Sequence, residues 1–211
     1  MHICDDNAPA NEPDAVRAAA RLLRAGGVVV YPTETLYGLG ADALNPTAVA
    51  RLAALKGRGP GKPISVLIGD AAMLADIVAD VPPAAAVLMR RFWPGALTIV
   101  LRARPSLSPL LTGGGDGIGV RISSHPLATA LVRALARPLT APSANPAGMP
   151  PPTRIEAVRA YFGERVDYYL DAGCVRGEPA STVVDARDGV TVLRAGAISL
   201  AALAASLQEV V

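Results

Sequence analysis

The run Val28-Val29-Val30-Tyr31-Pro32-Thr33-Glu34-Thr35-Leu36-Tyr37-Gly38-Leu39-Gly40 decides the fold. Its first four residues are apolar or aromatic and mostly β-branched, which suits a buried strand. From Tyr31 to Gly40 the chain then gathers hydroxyls, a carboxylate and two glycines. Open α/β sheets present ligand loops directly after such a strand, so this stretch reads as one. A bland reading stands beside it, with Thr33 as a turn residue and Gly38 and Gly40 as backbone-permissive positions.

Upstream, Val16, Ala19, Ala20, Leu22 and Leu23 recur at helical spacing over residues 14–25, and Gly26-Gly27 stops that helix. Downstream, Asn45 is an N-cap with Pro46 at the first helical position, starting a helix that runs to Lys56 and ends at Gly57. Strands are expected at 64–68, 97–101, 118–122 and 139–141. Helices are expected after Asp70, over 84–91, over 124–136 with Pro126 in the first turn, and from a Thr153/Glu156 capping box to Tyr161. Strands at 167–170, 181–185 and 191–193 follow one another before a helix that starts at Ser199, so the α/β sheet should be mixed.

A chain of 211 residues can bury roughly 70% of its unfolded surface around one core, and no repeat or linker divides it. Apolar residues make up 51% and mean hydropathy is +0.35, yet no stretch approaches the ~20 apolar residues of a membrane span. The first residues lack the basic start and apolar run of a secretory signal, which points to the cytoplasm. Cys4 and Cys174 stand far apart without metal-ligand spacing, and His2 and His125 have no ligand-spaced partners, so disulfide and zinc readings are discounted. The net charge of +2 does not by itself declare a nucleic-acid partner.

Three further segments carry polar residues that a plain scaffold does not require. Lys56-Gly57-Arg58-Gly59-Pro60-Gly61-Lys62 places three cations among glycines, which suits either an oligophosphate or solvent. It lacks the spacing of a Walker loop. Thr140-Ala141-Pro142-Ser143-Ala144-Asn145 offers small hydroxyls and an amide at the end of a short strand, although Asn145-Pro146 is also ordinary turn chemistry. Ser181-Thr182-Val183-Val184-Asp185 precedes Arg194 by one hairpin. Separately, Arg121 interrupts an apolar strand, and a buried guanidinium needs an anion, either a protein carboxylate or a substrate carboxylate.

In this order, K-x-R at Lys56 and Arg58, S-x-N at Ser143 and Asn145, P-T-E-T-x-Y-G-L-G at 32–40 and S-T-V-V-D at 181–185 resemble the YrdC-like family of threonylcarbamoyl-AMP synthases. The resemblance covers nearly the whole chain, as the short form with one domain over 1–211 and a core at about 12–198. It implies a single α/β domain with a twisted mixed sheet, helices on its flanks and a basic concave cleft. Implied contacts to the nucleotide are Lys56, Arg58, Lys62, Ser143, Asn145 and Arg194, with Lys56 and Arg58 as the catalytic pair. Implied contacts to threonine are Thr35, Arg121, Thr140 and Ser181. The implied reaction makes threonylcarbamoyl-AMP and pyrophosphate from ATP, bicarbonate and L-threonine, with Mg²⁺ brought by ATP and no protein metal site. The product would pass to a tRNA threonylcarbamoyl transferase machinery, with tRNA contact open and no membrane partner. Glu34 is left without a catalytic role. Gly59 and Pro151 depart from the family pattern, which puts the loop's stiffness and one nucleotide contact in question. A non-catalytic RNA-binding protein is the alternative, although few aromatic residues offer a stacking platform.

Overall fold

The computed structural model describes residues 12–208 apart from 60 and 178. Chain order begins with α1 (Glu12–Arg24), β1 (Val29–Pro32), β2 (Tyr37–Gly40) and α2 (Pro46–Lys56). Next come β3 (Val66–Leu67), a 3₁₀ turn at Ala71–Met73, α3 (Leu74–Ile77), α4 (Pro83–Phe92) and β4 (Leu97–Arg102). Then follow α5 (Pro109–Thr112), β5 (Gly117–Arg121), α6 (Pro126–Leu135), β6 (Leu139–Thr140) and α7 (Ile155–Phe162). The chain closes with β7 (Tyr168–Tyr169), β8 (Thr182–Asp185), β9 (Thr191–Arg194) and α8 (Leu200–Gln208).

Several local expectations hold for their stated reasons. The Asn45 side chain accepts from the N–H groups of Thr47 and Ala48, and Gly57 closes α2 in the left-handed conformation at φ 60°. A cap of this kind contributes about 1 kcal/mol. Asp70 caps the 3₁₀ turn in the same way. The Thr153/Glu156 capping box does not form: Arg154 occupies the N-cap of α7 and makes no side-chain cap bond. Helix α5, capped by Ser108, was not foreseen.

The mixed character holds, but the strands fall into two hydrogen-bonded sheets rather than one. One has the order β2-β1-β7 and the other β6-β3-β5-β4-β8-β9, and each contains parallel and antiparallel pairs. A seam of main-chain bonds joins them. Leu39 N–H donates to Pro142 O, Ala144 N–H to Tyr37 O, Thr140 N–H to Ala41 O and Ala43 N–H to Pro138 O. The segment expected as a loop is therefore partly strand, since Tyr37–Gly40 pairs antiparallel with β1.

Alternation along β1 sends Val29 and Tyr31 into a core with α1 and α6, while Val28 and Val30 enter the larger core on the other side with α2, α4 and α7. Tyr31 explains the glycines opposite it. A Cβ at Gly38 would lie 2.8 Å from its ring and one at Gly40 would lie 2.9 Å from it. Among the described residues no helix is long and apolar enough to cross a membrane. Cys4 and His2, on which the cysteine and histidine readings partly rest, lie outside the described residues.

Candidate active site

The two sheets meet beside a cleft of about 190 Å³. The turn after β1 supplies Thr33 and Thr35 to it, the segment after α2 supplies Arg58, and the segment after β6 supplies Ser143. Arg121 comes from the end of β5, Ser181 from the residue before β8, and Arg194 from the end of β9. Six of the ten residues expected at the site thus share one cavity: Thr35, Arg58, Arg121, Ser143, Ser181 and Arg194. Lys62 lines a neighbouring hollow that Arg58 also borders.

Lys56, Thr140 and Asn145 sit behind the cleft wall. The Thr140 hydroxyl accepts from Ala41 N–H at 2.8 Å and donates to Leu39 O at 3.1 Å, so it belongs to the seam and is wholly buried. Unlike the other residues expected to contact threonine, Thr140 is not among those that line this cavity. Lys56 and Asn145 are buried too, and they bond each other.

The buried Arg121 has a protein partner. Its Nη1 donates to Glu34 Oε1 at 3.2 Å, and Ser123 donates its hydroxyl to Glu34 Oε2. Arg194 donates through Nε and Nη2 to Ser181 O at 3.2 and 2.8 Å, and through Nη2 to Ser181 Oγ at 3.0 Å. The Ser181 hydroxyl also meets Thr98 Oγ1 at 3.1 Å. Arg58 closes its own loop by donating to the carbonyl oxygens of Lys62 and Pro63.

Electrostatically the cleft is short of negative charge. Three arginines and no carboxylate line it among the described residues, because Glu34 stands behind Arg121. Burial lowers the Arg58 pKa, and burial followed by the nearby Arg121 lowers that of Arg194. Such a wall favours an anionic occupant with several oxygen atoms. Among the described residues no group of three or more His, Cys, Asp or Glu is placed to hold a metal ion.

The model of the Sua5/YciO/YrdC family, described as telomere recombination, matches residues 21–196. The chain belongs to this family. Its Sua5/YciO/YrdC relatives include a threonylcarbamoyl-AMP synthase of Bacillus subtilis (strain 168), 43% identical over 196 residues that cover 92% of this chain and 56% of that one. A threonylcarbamoyl-AMP synthase of Halorhodospira halophila is 39% identical over 186 residues, covering 88% of this chain and 97% of that one. The structure of P. abyssi Sua5 complexed with L-threonine matches with a TM-score of 0.89 at 36% identity, over 94% of this chain and 58% of that chain. The chain therefore spans a little over half the length of the Bacillus and P. abyssi family members.

Within this family fold, two cleft residues escaped the sequence reading. Ser65 and Thr98 line the cavity, each a lone hydroxyl in an otherwise apolar segment. The signal that drew attention to Arg121, a polar residue on an apolar strand, was present in weaker form at both.

Proposed function

We propose that this chain is an L-threonylcarbamoyladenylate synthase. It makes threonylcarbamoyl-AMP and pyrophosphate from ATP, bicarbonate and L-threonine, for the t6A modification of tRNA. The observation that carries this reading is the cleft wall of Arg58, Arg121 and Arg194 interleaved with hydroxyls and, among the described residues, lacking a carboxylate. The names of the relatives and the threonine-bound P. abyssi structure support the choice of substrates.

Bicarbonate and the threonine amine would condense to a carbamate with loss of water. A carbamate oxygen then attacks the α-phosphorus of ATP, and pyrophosphate leaves. Thr35, Arg121 and Ser181 hold threonine, with the guanidinium of Arg121 toward its carboxylate. Arg58, Lys62, Ser143 and Arg194 hold the nucleotide and its phosphates, and Arg58 neutralises charge that develops on them. Held in line, the reactants need no covalent protein nucleophile, and positioning with fixed charge supplies the catalysis. Among the described residues the wall offers no carboxylate set for a resident metal, which supports Mg²⁺ as part of the substrate, carried on the ATP phosphates. The work is done in the cytoplasm, and the product passes to the tRNA threonylcarbamoyl transferase machinery.

Pyrophosphate release by the purified chain tests the reading, with threonine and bicarbonate omitted in turn and the adenylate identified by mass spectrometry. Release that requires both co-substrates is expected. None under any combination, together with tight RNA binding, would replace it with a binding function.

A further inference from the structure

Lys56 is the last residue of α2 and is only 4% exposed. Its Nζ donates to Ser143 O at 2.5 Å, to Asn145 O at 2.7 Å and to Asn145 Oδ1 at 3.3 Å. In return, Ala147 N–H donates to the carbonyl oxygen of Lys56 at 2.7 Å. An ammonium carries three N–H bonds, so each of them has an acceptor within this one turn. The Asn145 amide is equally committed, since its Nδ2 donates to Pro146 O at 3.1 Å and to Met149 O at 2.5 Å.

We infer that the K-x-R and S-x-N pairs divide by role, with Lys56 and Asn145 forming a latch that positions the 143–147 turn, while Arg58 and Ser143 face the ligand. Lys56 is a positioning residue, not a catalytic one. Engaging a phosphate would strip its charge-assisted bonds and take the Lys56 donor from the carbonyl and amide oxygens of the buried Asn145, while Ser143 O would keep only the N–H of Asn145, a loss for which one new contact does not compensate. Arg58, two residues further on, lies past the Gly57 helix stop and reaches the cleft, as Ser143 does at the head of the latched turn. The latch itself stands on these bonds. Only the identity of the ligand rests on the synthase reading.

The sequence holds two lysines, Lys56 and Lys62, which makes the test direct. The wild-type protein is acetylated with an amine-selective reagent, with and without ATP and threonine, and each lysine is read by mass spectrometry. The exposed Lys62 should react in the free protein and be shielded by ATP, whereas Lys56 should stay unreactive in both states. Lys56 that reacts freely and is protected by ATP would overturn the latch. A Lys62 indifferent to ATP beside an unreactive Lys56 would support the latch and sink the nucleotide reading. As a second measurement, Lys56→Met should speed amide exchange over 143–149 without nucleotide and lower pyrophosphate release about 100-fold, the order that a misplacement of about 1 Å costs. Ser143→Ala should lower release without changing exchange. Exchange in Lys56→Met equal to wild type would count against the latch.

Discussion

The guanidinium of Arg121 meets the carboxylate of Glu34 at 3.2 Å, and neither side chain is more than 16% exposed. Of the two partners that the sequence left open for this arginine, the structure supplies the protein one. Arg121 also lines the cleft. Glu34→Gln removes the compensating charge while keeping an acceptor. It should cost about 2 kcal/mol, below the range for breaking a buried pair outright because the amide oxygen still accepts. Chemical denaturation measures this, and a variant as stable as wild type would mean that Arg121 needs no fixed counter-charge.

Tyr31 donates its hydroxyl to Thr140 O at 2.9 Å, and its ring fills the space over Gly38 and Gly40. Gly38→Ala should therefore destabilise by about 2 kcal/mol, as overpacking does. The denaturation midpoint should fall with the slope unchanged. An unshifted midpoint would show that the ring can move aside.

Arg187 donates to both carboxylate oxygens of Asp185, and that bonding is the first cause of the carboxyl's depressed pKa. A group depressed in the folded state contributes stability above its unfolded pKa and loses it as pH falls through the folded one. The contribution should be complete at neutral pH, begin to fall near the ordinary aspartate value of about 4, and be gone only below the lowered folded-state pKa. Asp185→Asn should flatten that part of the acid stability profile, a change of about 1 kcal/mol. Profiles of identical shape would assign the acid loss elsewhere.

Burial first, and then the neighbouring Arg58, hold the Lys56 ammonium down to about 8. Below that pH it has three N–H bonds for its three acceptors, and above it the neutral amine has two. Pyrophosphate release by wild type should decline as pH rises from about 7 to about 9, the window in which a group titrating near 8 loses its proton. Steady-state rates at saturating substrate check this. A flat profile would show that the turn keeps its place without the third bond.

Much of the scaffold was legible because it rests on local chemistry. Asn45, Pro46 and Gly57 bound α2 by capping rules that need no tertiary partner. Strand β2 was not legible, since glycines at 38 and 40 read as loop, and only the Tyr31 ring packed from the neighbouring strand gives them a reason to lie in a sheet. Helix α5 carries local signals in Ser108, Pro109 and the Gly113 that ends it, but a single turn is too short to show a helical period. At the candidate site, the segments singled out in the sequence do line one cavity, but the sequence could not say which way a side chain points. Lys56 and Arg58 look alike in a row of cations, yet one turns into the protein and the other toward the cavity.

Apart from the Thr140 hydroxyl, the seam between the two sheets is built from main-chain groups at residues 37–43 and 138–144. Side-chain exchange leaves such bonds in place, apart from proline, which removes a donor. The residues that line this cleft can therefore drift on a join that most point mutations cannot edit.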